Sequence, residues 1–121
     1  MKTILIVGAS NNPDKFGYKI VENLLKKGFN VIPINPKETL ILGQVAYPNL
    51  TSFVTQNPHI KIDWVDLVVP PEVALKVLLE LKQLGLAKAW FQPGSESTSA
   101  IDFCEKNGIK YMKNKCIMKD Y

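Results

Sequence analysis

The chain has 121 residues, 46% of them hydrophobic and 21% charged, which fits one soluble globular domain with a core of its own. Its net charge of +4 comes from lysine alone, since no arginine is present; this argues against nucleic acid, whose base edges and phosphates favour the guanidinium fork. No apolar run approaches the ~18 residues that span a bilayer.

The opening MKTILIVGAS runs straight into a glycine turn without a cleavage-like region, so a first strand is expected rather than a signal peptide. Thr3 to Val7 is continuously apolar, as befits a strand buried on both faces. Phe16, Ile20, Val21, Leu24 and Leu25 recur at helical spacing up to a stop at Gly28. Asn30 to Ile34 is a second strand, closed by Asn35 and Pro36. Between Lys37 and Asp63 the pattern is mixed, with a short strand expected over Gly43 to Tyr47 and a short helix capped by Asn49.

Trp64 to Val69 is the next strand, broken by Pro70 and Pro71. Glu72 to Leu84 makes a helix with Val73, Val77, Leu78, Leu81 and Leu84 on one face. Ala87 to Phe91 is a strand leading into Gln92-Pro93-Gly94, then Ser97 to Lys106 a helix, then Ile109 to Met112 a last strand. Strands alternating with helices predict an α/β fold, a doubly wound parallel sheet of about five strands, Rossmann-like, with helices on both faces. The whole of 1–121 is expected to be one domain, and its ligand site to lie at the carboxyl ends of the strands.

The first of those ends is the loop VGASNNPDKFG. Gly8 stands where a dinucleotide fingerprint has its first glycine, but Ser10 takes the second place and the next glycine is Gly17. Small polar residues (Ser10, Asn11, Asn12), a helix start and Lys15 suit a phosphate. The same residues also read as a plain turn and N-cap. After the second strand, an NAD-binding domain keeps an acid for the ribose hydroxyls. Here Asn35, Pro36 and Lys37 stand instead, which suits a phosphorylated ribose, as in coenzyme A or NADP, or simply a polar turn.

Taken together, VGAS, GFNVIPINPK, ILGQVAY, VDLVVPPE, LGLAKAWFQPGS and KNKCIMK resemble the small stand-alone CoA-binding proteins. These are similar in fold to the CoA-binding domain of the succinyl-CoA synthetase alpha subunit. The resemblance implies a Rossmann-like fold that binds coenzyme A along the strand ends, and the leading expectation is non-catalytic binding of coenzyme A or an acyl-CoA. It places Gly8 and Ser10 under the pyrophosphate, with Lys15 where the family often has arginine; Asn12 and Gly17 of the same loop are expected to belong to the cofactor-binding set. Asn35, Pro36 and Lys37 would flank the adenosine and its 3′-phosphate, Val69, Pro70 and Pro71 would line the adenine or pantetheine side, and Gln92 and Gly94 would close the far edge.

For chemistry the sequence offers little. His59 reads as a surface-loop histidine, Cys104 as structural, and Asp63 and Asp66 as turn or edge residues. Trp64 and Trp90 read as core, and Phe16 either as inner-face packing or as cover for an adenine. Cys116 matches the cysteine of the family's terminal motif and reads first as a small core residue. The alternative is a working thiol in an NAD(P)- or acyl-CoA-dependent reaction, or a protein-interaction module with an empty pocket. With no metal or redox spacing, both cysteines are expected to be reduced in a cytoplasm. Partners are expected to be a small-molecule nucleotide ligand, with no nucleic acid and no membrane; a small sheet with an exposed edge also invites a homodimer or an unidentified protein partner.

Overall fold

The computed structural model describes residues 1–121. Five strands form one parallel sheet: β1 (Thr3–Val7), β2 (Asn30–Ile34), β5 (Trp64–Leu67), β6 (Lys88–Phe91) and β7 (Lys110–Met112), in the order β2-β1-β5-β6-β7. Chain order reverses between β1 and β5, so the sheet winds outward in both directions from that pair. Two short strands, β3 (Leu40–Ile41) and β4 (Gln44–Val45), make a separate antiparallel hairpin. No helix is long and apolar enough to cross a membrane.

The two faces of the sheet bury two separate cores. Ile4, Ile6, Trp64 and Trp90 point to one side, against α1 (Phe16–Lys26) and α5 (Ile117–Asp120). Leu5, Val7, Val65, Leu67, Ala89 and Phe91 point to the other, against α2 (Leu50–Gln56), α3 (Pro71–Gln83) and α4 (Thr98–Lys106). Strand side chains alternate between faces, so an uninterrupted apolar run such as TILIV serves both cores at once. Trp64 and Trp90 are core residues as expected, packed edge to face with ring centres 5.3 Å apart. The Asn49 and Ser97 side chains cap α2 and α4 by accepting from the Ser52 and Ala100 amides.

Several elements differ from the sequence pattern. The strand at Trp64 ends at Leu67 rather than Val69, because Pro70 and Pro71 have no N–H with which to extend the ladder. Gly43 does not begin a strand; it shares a two-residue hairpin turn with Leu42, both at positive φ, so that β3 pairs with β4. The helix α3 buries Ala74, Leu78 and Leu81, while Val73 is exposed: the inner face is rotated toward the alanine. Phe16 is 63% exposed and is not an inner-face residue, because Gly17 takes the close-packed place beside it. The terminal helix α5 had no clear signal in the sequence.

Asp66 departs furthest. It is neither a turn nor an edge residue: β5 is the central strand, and Asp66 is 0% exposed between Ile6 of β1 and Trp90 of β6.

Candidate functional site

The carboxyl ends of β1, β2, β5 and β6 meet along one edge, as the fold requires. The first loop is held by its own side chains. Ser10 Oγ accepts from the Asn12 amide and Asn12 Oδ1 from the Asp14 amide, while the Lys15 amide donates to the Asn12 carbonyl. This leaves the amides of Ser10, Asn11, Phe16 and Gly17 without partners in the protein, at the positive end of α1. Lys15 stands at the N-cap of α1, exposed to solvent.

Gly8 and Gly17 set how closely the chain approaches itself here. Gly8 has φ of 94°, and a Cβ on it would meet the Val68 carbonyl oxygen at 2.2 Å. The second strand's end is fastened to this loop by Asn35, whose Nδ2 donates to the Ala9 carbonyl at 2.8 Å. Its Oδ1 accepts from the Lys37 and Glu38 amides at 2.7 and 3.1 Å. Asn35 therefore positions two loops at once, and the Lys37 side chain extends from this pinned turn into solvent.

Two clefts open on the edge. The larger, of about 460 Å³, lies between the ends of β5 and β6 and the terminal helix; Val69, Pro70, Gln92 and Gly94 line it together with Phe16 and Cys116. The smaller, of about 220 Å³, lies over the α2 and α3 side; Gly8, Pro36 and Val69 line it with Asn49, Val73 and Glu80. Val69 borders both. Of the residues singled out in the sequence, Ser10, Asn12, Lys15, Gly17, Asn35, Lys37 and Pro71 line neither cleft but lie in the loops and helix starts around them.

The far wall of the larger cleft was not legible in the sequence. Cys116 is a half-buried lining residue, not a core residue, because the chain after β7 folds back across the sheet. Trp90 Nε1 donates to the Lys115 carbonyl at 2.9 Å. Gln92 grips the same segment twice: its Oε1 accepts from the Ile117 amide at 2.9 Å, and its Nε2 donates to Cys116 Sγ at 3.3 Å. Beneath this strap, burial first and the Cys116 thiol second push the Asp66 carboxyl well above the usual carboxylate range. Cys104, by contrast, is buried among apolar side chains in the opposite core, where burial and then Glu105 push its thiol up to about 11. His59 is exposed in a loop.

With this geometry in place, comparison with known proteins is decisive. The family model described as the CoA binding domain matches residues 2–121. The chain belongs to the CoA-binding domain family. It is 30% identical over 121 residues to acetate–CoA ligase (ADP-forming) II of Archaeoglobus fulgidus, covering 90% of this chain and 17% of that protein. It is 25% identical over 125 residues to the alpha subunit of acetate–CoA ligase (ADP-forming) II of Pyrococcus furiosus, covering 94% and 26%. The chain thus spans about a quarter or less of these ligases. Among solved structures, a conserved hypothetical protein from Pyrococcus furiosus superposes with a TM-score of 0.91 at 40% identity, covering 100% of both chains. The expected family and Rossmann-like α/β fold both hold.

Proposed function

We propose that this member of the CoA-binding domain family binds coenzyme A or an acyl-CoA along the carboxyl edge of its sheet, as a binding module rather than a catalyst. The observation that carries the reading is the cleft of about 460 Å³ beside a helix start with unpartnered amides. These parts fit the ligand's chemistry. Free amides at the positive end of α1, with Lys15 at its N-cap, suit the pyrophosphate. The cleft lined by Val69, Pro70 and Gln92 suits a flexible arm that is mostly apolar but carries amides. Pro36 borders the smaller cleft next to Lys37, which supports placing the adenosine and its 3′-phosphate at that end.

The ligases that match the chain are several times its length, which supports a second element of the proposal: the loaded module works with a further protein or domain. Titration calorimetry with coenzyme A tests the central reading. One ligand per chain, bound with clear heat, is expected; no heat with either coenzyme A or acetyl-CoA contradicts it.

A further inference from the structure

The larger cleft holds a feature that ligand binding alone does not use. Cys116 lines it, half-buried, and its Sγ accepts a hydrogen bond from Gln92 Nε2 at 3.3 Å. On the same face of the sheet, Asp66 is 0% exposed and neither of its carboxyl oxygens has a hydrogen-bond partner. The strand register places Asp66 beside Trp90, two residues before Gln92 on the neighbouring strand. An unpartnered carboxyl under a half-open thiol lowers stability, and a purely structural site would replace it with an apolar side chain. Lys119 stands at the same rim and favours an anionic visitor.

We propose that Cys116 is a thiol-exchange site, at which the sulfur end of a coenzyme A molecule held in the larger cleft forms a reversible mixed disulfide with the protein. The inference rests on the coenzyme A reading above. The co-reactant is coenzyme A disulfide. The Cys116 thiolate attacks one of its two sulfurs, the new Sγ–S bond forms as the old S–S bond breaks, and one coenzyme A departs as its thiolate. The Cys116 proton leaves to solvent through the open cleft and the departing thiolate takes one up there, so protons and electrons balance without another oxidant. The Gln92 amide, donating to Sγ, holds the sulfur in place at the cleft wall. Cys104 serves as an internal control, since it lies in the other core with 0% exposure.

The test treats the reduced full chain with coenzyme A disulfide and follows its intact mass. One adduct is expected, heavier by a coenzyme A less two hydrogens, removed by dithiothreitol and mapped by peptide analysis to Cys116 and not Cys104. It should form at least about tenfold faster than with glutathione disulfide, because the nucleotide end positions the sulfur. Desulfo-coenzyme A should compete with it. Cys116→Ser should abolish the adduct, and the peptide map of the unaltered protein carries the assignment if that variant fails to fold. Coenzyme A that binds by calorimetry without any adduct overturns the exchange and leaves the binding reading intact. Equal rates with glutathione disulfide overturn it as well, since they describe a merely accessible thiol. If coenzyme A does not bind, both readings fall.

Discussion

Gly17 rests against Gly8 so closely that a Cβ on Gly17 would stand 2.1 Å from the Gly8 carbonyl oxygen. Gly8 in turn leaves no room above the Val68 carbonyl. The start of α1, the end of β1 and the end of β5 are thus stacked backbone on backbone, with no side chain between them. This is the service a fingerprint's last glycine performs in dinucleotide-binding folds, close packing of helix on strand, reached here through a longer loop.

Gly17→Ala must push α1 away from β1 by more than an ångström. Overpacking of this kind costs about 1–3 kcal/mol. It also displaces the unpartnered amides at the head of the helix. Thermal melting should register the loss of stability, and coenzyme A affinity should fall by at least about tenfold. A variant with unchanged affinity and melting temperature would show that the stack is not needed.

Asn35 ties the first loop to the second through three hydrogen bonds, to the Ala9 carbonyl and from the Lys37 and Glu38 amides. Asn35→Asp keeps an acceptor for the two amides but turns an oxygen toward the Ala9 carbonyl, while Asn35→Ala loses all three bonds. Each variant should weaken coenzyme A binding, Asn35→Ala by about 1–2 kcal/mol. Neither should gain affinity for NAD, although Asn35→Asp restores the acid that NAD-binding domains keep at this place. Calorimetry with both ligands checks this; tight NAD binding by Asn35→Asp would mean that the residue contacts the ribose rather than the loop.

Asp66 gives stability a definite slope with pH. Burial holds its carboxyl well above the ordinary value of 3.8, so above that value the folded chain keeps a proton that the unfolded chain releases. The native state then binds more protons, and stability contributed through Asp66 is lost as pH rises toward its folded value. Asp66→Asn removes the slope. Melting temperatures of the two proteins should lie close together near about pH 4 and diverge above it, the variant being roughly 5 °C higher near about pH 8. A wild type that gains stability relative to the variant as pH rises contradicts the assignment of Asp66 as a buried, unpaired acid.

These residues also mark how far the sequence could be read. The five sheet strands were legible because runs such as TILIV and NVIPI belong to strands covered on both sides, and the glycines after α1 and α3 mark where those helices stop. The same two-sided burial hid Asp66. Where every position is apolar regardless of face, no alternation remains to show that residue 66 points into the layer beneath α5. Of the two readings of Phe16, inner-face packing fails because a glycine carries no apolar weight, so the pattern gave the inner place to the neighbouring aromatic, which lines the larger cleft instead. Position 35 was singled out as a place for the ligand's ribose, whereas its hydrogen bonds run to the protein's own backbone, a long-range arrangement that spacing does not encode. The strap over the larger cleft escaped notice for a similar reason. Its anchors, Trp90 and Gln92, lie about 25 residues upstream of the segment they hold, beyond any local pattern.

The central claim is that a phosphorylated ribose meets Lys37 while the rest of coenzyme A follows the sheet edge to Cys116. Titration of the wild type and Lys37→Ala with coenzyme A and with dephospho-coenzyme A tests it most directly. The account predicts that the wild type prefers coenzyme A by about 1–2 kcal/mol and that Lys37→Ala abolishes this preference without touching dephospho-coenzyme A binding. Equal affinity of the wild type for the two ligands would contradict it.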